Sequence, residues 1–431
     1  MTLSRLSVRI VRGICVALLL VMTVAAFSLG SVALAQGTPT PAAPEDGVHG
    51  ELDGPLPART EGDAEWHIGE RLYQGEFPDG FSFEIAAESS AGDITSARVV
   101  WVHSPGSGTQ RSRGAEFDPE RGRWVAHWEP ASNQVPPWVL VRYHWELTDE
   151  QGNRYITAEK DEVYADDSNA DRWGHAESED VVVHWLALPD EVGQQTIDAM
   201  AERREFYRQA WGGLLPYRPR VILYGWTARP EYEEAMGNRP ILVAGTLLAG
   251  TTAADWGGTI QIAQPGSDTR RIAYGTVLHE VAHLYQHQFT RVTPDWFIEG
   301  NAEFFSMARS GDYRAYARQR LQSDDPLSFA AGFATSGENF RDGYWIGTTV
   351  WDYLVETYGL DAHRRLWELI SQNVPRNEAI EQVTGVSIEQ FEMDWRTWIG
   401  VTSLPPTLIP SPTPLFDPFS FPTPTFPPSG A

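Results

Sequence analysis

Cysteine is nearly missing: the 431 residues hold one, Cys15, and lysine is as scarce, with Lys160 standing alone. A chain with one thiol has no disulfide framework, so its stability must come from packed cores and bound ions. No basic run interrupts the acidic balance of 33 Lys+Arg against 58 Asp+Glu, a net charge of −25. Without a patch to neutralise phosphates, a nucleic-acid partner is excluded, and the acidity serves solubility. What abounds is aromatic: 17 Trp, 15 Tyr and 18 Phe. That payload fills sizeable cores and excludes a mostly disordered chain, and the length allows two or three domains at about 150 residues each.

The first 35 residues read as a signal peptide. Arg5, Arg9 and Arg12 precede an apolar stretch from Ile14 to Phe27, and Ala33-Leu34-Ala35 offers a cleavage site. The expected location is secreted or extracytoplasmic; an uncleaved N-terminal membrane anchor is the alternative, because residues 13–35 carry no charge. Residues 36–65, rich in Pro, Gly and Thr, read as a flexible linker. At the other end, residues 403–431 form a Pro-rich tail that cannot build helix or central strand.

Residues 66–167 repeat with period two. Phe81, Phe83 and Ile85 alternate with Ser82, Glu84 and Ala86, and Val139, Val141, Tyr143, Trp145 and Leu147 share one strand face. Turn residues at Pro78-Asp79-Gly80 and Gln151-Gly152-Asn153 separate such runs. The pattern predicts an all-β, immunoglobulin-like or fibronectin-like sandwich, a candidate for contact with a cell surface or cell wall. From 168 to 402 helices mix with a few strands: a helix over 192–211, buried strands at 221–224 and 258–263, and a last helix opened by Ser387 and ended by Gly400.

The chemistry lies in that second part. His279-Glu280-Val281-Ala282-His283 puts two imidazoles one helical turn apart on one face, a spacing that suits a single zinc ion. Glu280 sits beside the first ligand and is the candidate general base for an attacking water. Downstream, Trp296-Phe297-Ile298-Glu299-Gly300-Asn301-Ala302-Glu303 follows Thr293, a candidate cap, and Pro294, a first-turn residue. Glu299 within that helix would complete a His₂Glu zinc site, one ion per chain. Glu303, a turn further on, would accept the remaining ring N–H of His279.

These two segments resemble those of the gluzincin, or peptidase MA-like, zinc metallopeptidases, whose second motif reads Trp-x-x-Glu-Gly-x-Ala-Glu. The resemblance implies an α+β, mostly helical catalytic domain, with His279, His283 and Glu299 as ligands, Glu280 as base and a peptide or protein substrate. It also implies that Tyr344, in Tyr344-Trp345-Ile346-Gly347, donates to the developing oxyanion. The metzincin continuation is absent, since Gln286 and Phe289 stand where it needs Gly and His. So is the Gly-x-Met-Glu-Asn amine anchor of related exopeptidases, which makes an endopeptidase the expectation. Thr259, Ile260 and Gln261, in the strand before His279, are the candidate substrate-binding backbone. Two rivals remain: a cell-surface binding protein with a structural zinc, and a zinc hydrolase of a non-peptide amide or ester.

Overall fold

The computed structural model describes residues 55–103, 109–130, 135–237, 242–243, 246–247, 250–290, 295–322, 327–330 and 332–401. The signal peptide with Cys15, most of the linker, the Thr293-Pro294 pair and the Pro-rich tail lie outside them. Sheets fill the N-terminal half and helices dominate the C-terminal half. No helix among the described residues is long and apolar enough to cross a membrane.

Two antiparallel sheets face each other in the first half, one built around Ile94–Val102 and Val139–Asp149, the other around Trp66–Glu76 and Gly80–Ser89. The alternation explains the core between them. Val139, Val141, Tyr143, Trp145 and Leu147 are all buried and meet Phe81, Phe83 and Ile85 from the opposite sheet. Ser82 and Glu84 alternate with that core face yet are not left to solvent. Both are buried, and Glu84 is held there by a two-pronged bond from Arg121. The linker ends earlier than its composition predicts, because Arg59–Glu61 pairs with Arg154–Ile156 as an edge strand.

The second half is a five-stranded mixed sheet with helices on both faces, the longer ones on one and the short helix Arg229–Ala235 on the other. Its order is Trp173–Glu177, Val182–Leu186, Arg220–Tyr224, Gly258–Ile262, Gly250–Ala253. Alternation again sorts the faces. Val221 and Leu223 join the large core shared with the helices, whereas Ile222, Tyr224, Ile260 and Ile262 join a smaller one that Phe77 and Trp138 reach from the first half. The two halves therefore meet through apolar contact, reinforced by Arg220 donating to the Trp138 carbonyl.

The expected substrate strand is corrected here. Gly258–Ile262 is an interior strand, parallel to Arg220–Tyr224 on one side and antiparallel to Gly250–Ala253 on the other. Thr259, Ile260 and Gln261 are buried and their backbone edges are already paired, so no peptide can add there. The edge belongs to Gly250–Ala253.

Candidate metal centre

The histidine helix, Leu278–Gln286, continues a π-helical turn at Ile272–Val277. Leu278, Val281, Ala282 and Tyr285 are buried in the large core, Tyr285 against the helix Glu191–Trp211, while His279 and His283 meet Glu299 of the next helix. That helix, Trp296–Phe305, is capped by Asp295, whose carboxylate accepts from the N–H groups of Phe297 and Ile298. Asp295 thus does the capping expected of Thr293, and Glu299 lies in the first turn rather than well inside.

One ligand atom from each of His279, His283 and Glu299 lies within 4.8 Å of the others, and all three residues are buried. Nε2 of His279 stands 3.3 Å from Glu299 Oε2, and Nε2 of His283 stands 3.5 Å from it. A tetrahedral ion with bonds of about 2.0–2.1 Å spaces its ligands by about 3.3–3.4 Å, so the donor set fits such an ion. Electrostatics point the same way. Burial alone would pull the His279 ring down, but bonds to Glu299 and Glu303 and the charges of Glu303 and Glu280 push it up to about 10. Against the same burial, the Glu299 charge raises His283. Burial would lift the Glu299 carboxyl, yet the charge of His283 and bonds from both imidazoles hold it well below the usual range. Positive charge is favoured at this point of the molecule.

The ring nitrogens facing away are engaged as well. Glu303 Oε2 accepts from His279 Nδ1 at 3.1 Å, and the Tyr313 hydroxyl donates to the other Glu303 oxygen. Gln286 Oε1 accepts from His283 Nδ1 at 2.7 Å. With Nδ1 used in this way on both rings, Nε2 is the atom left to converge.

Glu280 is held by the edge strand Gly250–Ala253. The Thr252 hydroxyl stands 2.7 Å from its Oε2 and 2.8 Å from its backbone oxygen, which fixes the carboxylate next to His279. Tyr344 arrives on a second π-helical turn, Asp342–Ile346, that opens the helix Gly347–Tyr358. Its ring stacks on His279 at 5.7 Å, and its hydroxyl bonds Glu299. Burial, then the charges of Glu299 and Glu280, raise that hydroxyl far above its ordinary value, so it stays a proton donor.

Glycine explains how Tyr344 comes so close. A Cβ on Gly300 would lie 2.4 Å from the Gly347 carbonyl carbon, and one on Gly347 would lie 2.4 Å from the Trp296 oxygen. The two helices cross backbone to backbone, one residue beyond Glu299 and three beyond Tyr344. By contrast Tyr285 faces the core, stacked on Tyr207 at 4.8 Å. His287 lies outside the ligand group.

Sequence reasoning missed Thr252, Gln286, Asn301, Tyr313 and His363. Gln286 carried a signal, since it lies three residues after His283 and hence on the same helical face. Asn301 lies within the second motif but nothing in its spacing marked it, and Thr252, Tyr313 and His363 come from distant segments and carried no signal.

No family model matches the chain. No curated protein matches it. Two solved structures that match do so weakly. One is a polysaccharide deacetylase from Bacillus cereus, 7% identical with a TM-score of 0.18, over 52% of this chain and 78% of that one. The other is a ferredoxin reductase from Plasmodium falciparum, 7% identical with a TM-score of 0.11, over 56% and 84%. At these scores neither likeness bears on fold or function.

Proposed function

We propose that the chain is an exported zinc-dependent metallopeptidase with an immunoglobulin-like sandwich ahead of a gluzincin catalytic domain. The observation that carries the reading is the convergence of His279, His283 and Glu299, with Glu280 on the next residue and Tyr344 stacked against His279. Zinc in that group supplies a Lewis acid that polarises the scissile carbonyl and acidifies a water.

The chain's own residues do the rest. Glu280, steadied by Thr252, takes the proton of the attacking water and passes it to the leaving amine. Tyr344 leaves Glu299 to donate to the oxygen that gains charge as the carbonyl is attacked, a bond that is strongest in the transition state. An extended substrate has a place to lie: among the described residues no strand pairs with the outer edge of Gly250–Ala253, next to Glu280. That geometry suits the middle of a peptide, as an endopeptidase requires.

Metal analysis of the purified chain, alongside cleavage of unstructured casein, tests the proposal. One zinc per chain and casein cleavage are expected. Zinc-replete protein that cleaves no peptide would leave a structural zinc, and protein that takes up none would remove the reading altogether.

A further inference from the structure

Four helices are joined behind the candidate metal centre by buried hydrogen bonds. His283 Nδ1 meets Gln286 Oε1 at 2.7 Å. Gln286 Nε2 reaches the Ile298 carbonyl and Asn301 Oδ1, each at 3.0 Å. Asn301 Nδ2 lies 2.9 Å from His363 Nε2, and His363 Nδ1 lies 2.9 Å from the Ala210 carbonyl. Gln286, Asn301 and His363 are each 0% exposed.

The direction of every bond follows from the two backbone carbonyls, which can only accept. The Ala210 oxygen lies at the C-terminal end of the helix Glu191–Trp211, where carbonyls lack a helical partner, and it requires a proton on His363 Nδ1. In neutral imidazole the other nitrogen, Nε2, then accepts, so Asn301 must present its amide nitrogen there and its oxygen to Gln286. Independently, the Ile298 oxygen requires the Gln286 amide nitrogen, which leaves Gln286 Oε1 for His283. Both ends give one answer. A reversed amide at either residue would set donor against donor in a dry core, at the cost of a buried unpaired group.

We infer that Gln286, Asn301 and His363 form a one-way hydrogen-bond chain that holds the His283 proton on Nδ1 and keeps the Nε2 lone pair for the metal. His363 is its outermost positioning residue, boxed by Trp211 and Trp351 at 4.9 and 5.1 Å. The inference rests on the metal-centre reading for its purpose, but its geometry does not depend on it.

Two measurements separate the two. In the metal-free protein at neutral pH, long-range proton–nitrogen spectra should show His363 neutral with its proton on Nδ1; a proton on Nε2, or a charged ring, overturns the chain whether or not the protein binds zinc. In the full-length protein, zinc competition with a chromophoric chelator should show Gln286→Leu weakening affinity by about ten- to a hundredfold. His363→Phe keeps the aromatic box and should weaken it by about tenfold, the lower end of that range, with His363→Gln, which can both accept and donate, recovering part of the loss. Trp367→Phe, a buried neighbour outside the chain, should lower the unfolding midpoint and leave zinc affinity unchanged. If His363→Phe behaves like Trp367→Phe, the chain is only packing and the inference fails.

Discussion

Two buried histidines, one in each half, are treated very differently by their surroundings. His103 in the sandwich is 1% exposed and stands among Phe81 and Trp128. Neither of its ring nitrogens has a partner among the described residues. Burial, then the charge of Arg111, hold it neutral, down at about 3. His363 in the helical half is held down at about 4 by burial, against the bond to Ala210 that favours its charge, and both its nitrogens are engaged. The first is an aromatic ring that happens to contain nitrogen; the second is a directional connector. One imidazole is merely tolerated by its surroundings, whereas the other is held in place by them.

The largest effect that can test this contrast is catalytic. Glu280→Gln should cut casein cleavage by about 10²–10⁴-fold, the usual worth of a positioned general base, with bound zinc unchanged by metal analysis. Loss of zinc as well would show that Glu280 serves the ion and not the proton. Next, Glu299→Ala removes a ligand and should weaken zinc binding by more than the ten- to hundredfold expected of a ligand's partner. Glu84→Ala, which frees Arg121 in the sandwich, should leave zinc binding where it was in the same titration.

Acid gives a smaller effect and reaches both halves. Above about 6.5, His103 and His363 are neutral in the folded and the unfolded chain alike. Below it the unfolded chain takes up protons that folded His103 and His363 refuse, so stability falls with pH until their folded values near 3 and 4 are reached. Across that window the loss is on the order of 5 kcal/mol for His103 and about 3 kcal/mol for His363. Urea unfolding at pH 7 and pH 4.5 should show His103→Phe losing less stability on acidification than the parent. Equal losses would mean that His103 meets solvent in the fold. The smallest effect belongs to Tyr143, whose buried hydroxyl has no partner among the described residues. Tyr143→Phe should be neutral or stabilising by up to about 1 kcal/mol in the same assay.

What the sequence made legible was whatever repeats locally. The i, i+4 pair of His279 and His283 and the alternating face from Val139 to Leu147 needed a few neighbouring residues each, and the structure puts them on one helix face and one sheet face. Ser387 accepting from the Gln390 N–H, and Gly400 at a φ of 86° after the last helix, are equally local. Strand order is not local. Nothing in residues 259–261 says that another strand will cover their outer edge, and that is why the substrate strand was misassigned. The cap was misassigned for a different reason: Thr293 and Asp295 are both good caps, and composition does not choose between them. Asn301 and His363 are ordinary residues until helices 62 positions apart in sequence close on each other.

The bare crossing at Gly300 and Gly347 has a consequence for anyone wishing to stabilise this protein. Inside most helices glycine is a soft spot, and alanine mends it by roughly 0.5–1 kcal/mol. Here one methyl would act as a wedge against main chain that has nowhere to retreat, prising Tyr344 away from Glu299. The gap between the two helices is set by the absence of two side chains, and that dimension leaves no tolerance for improvement.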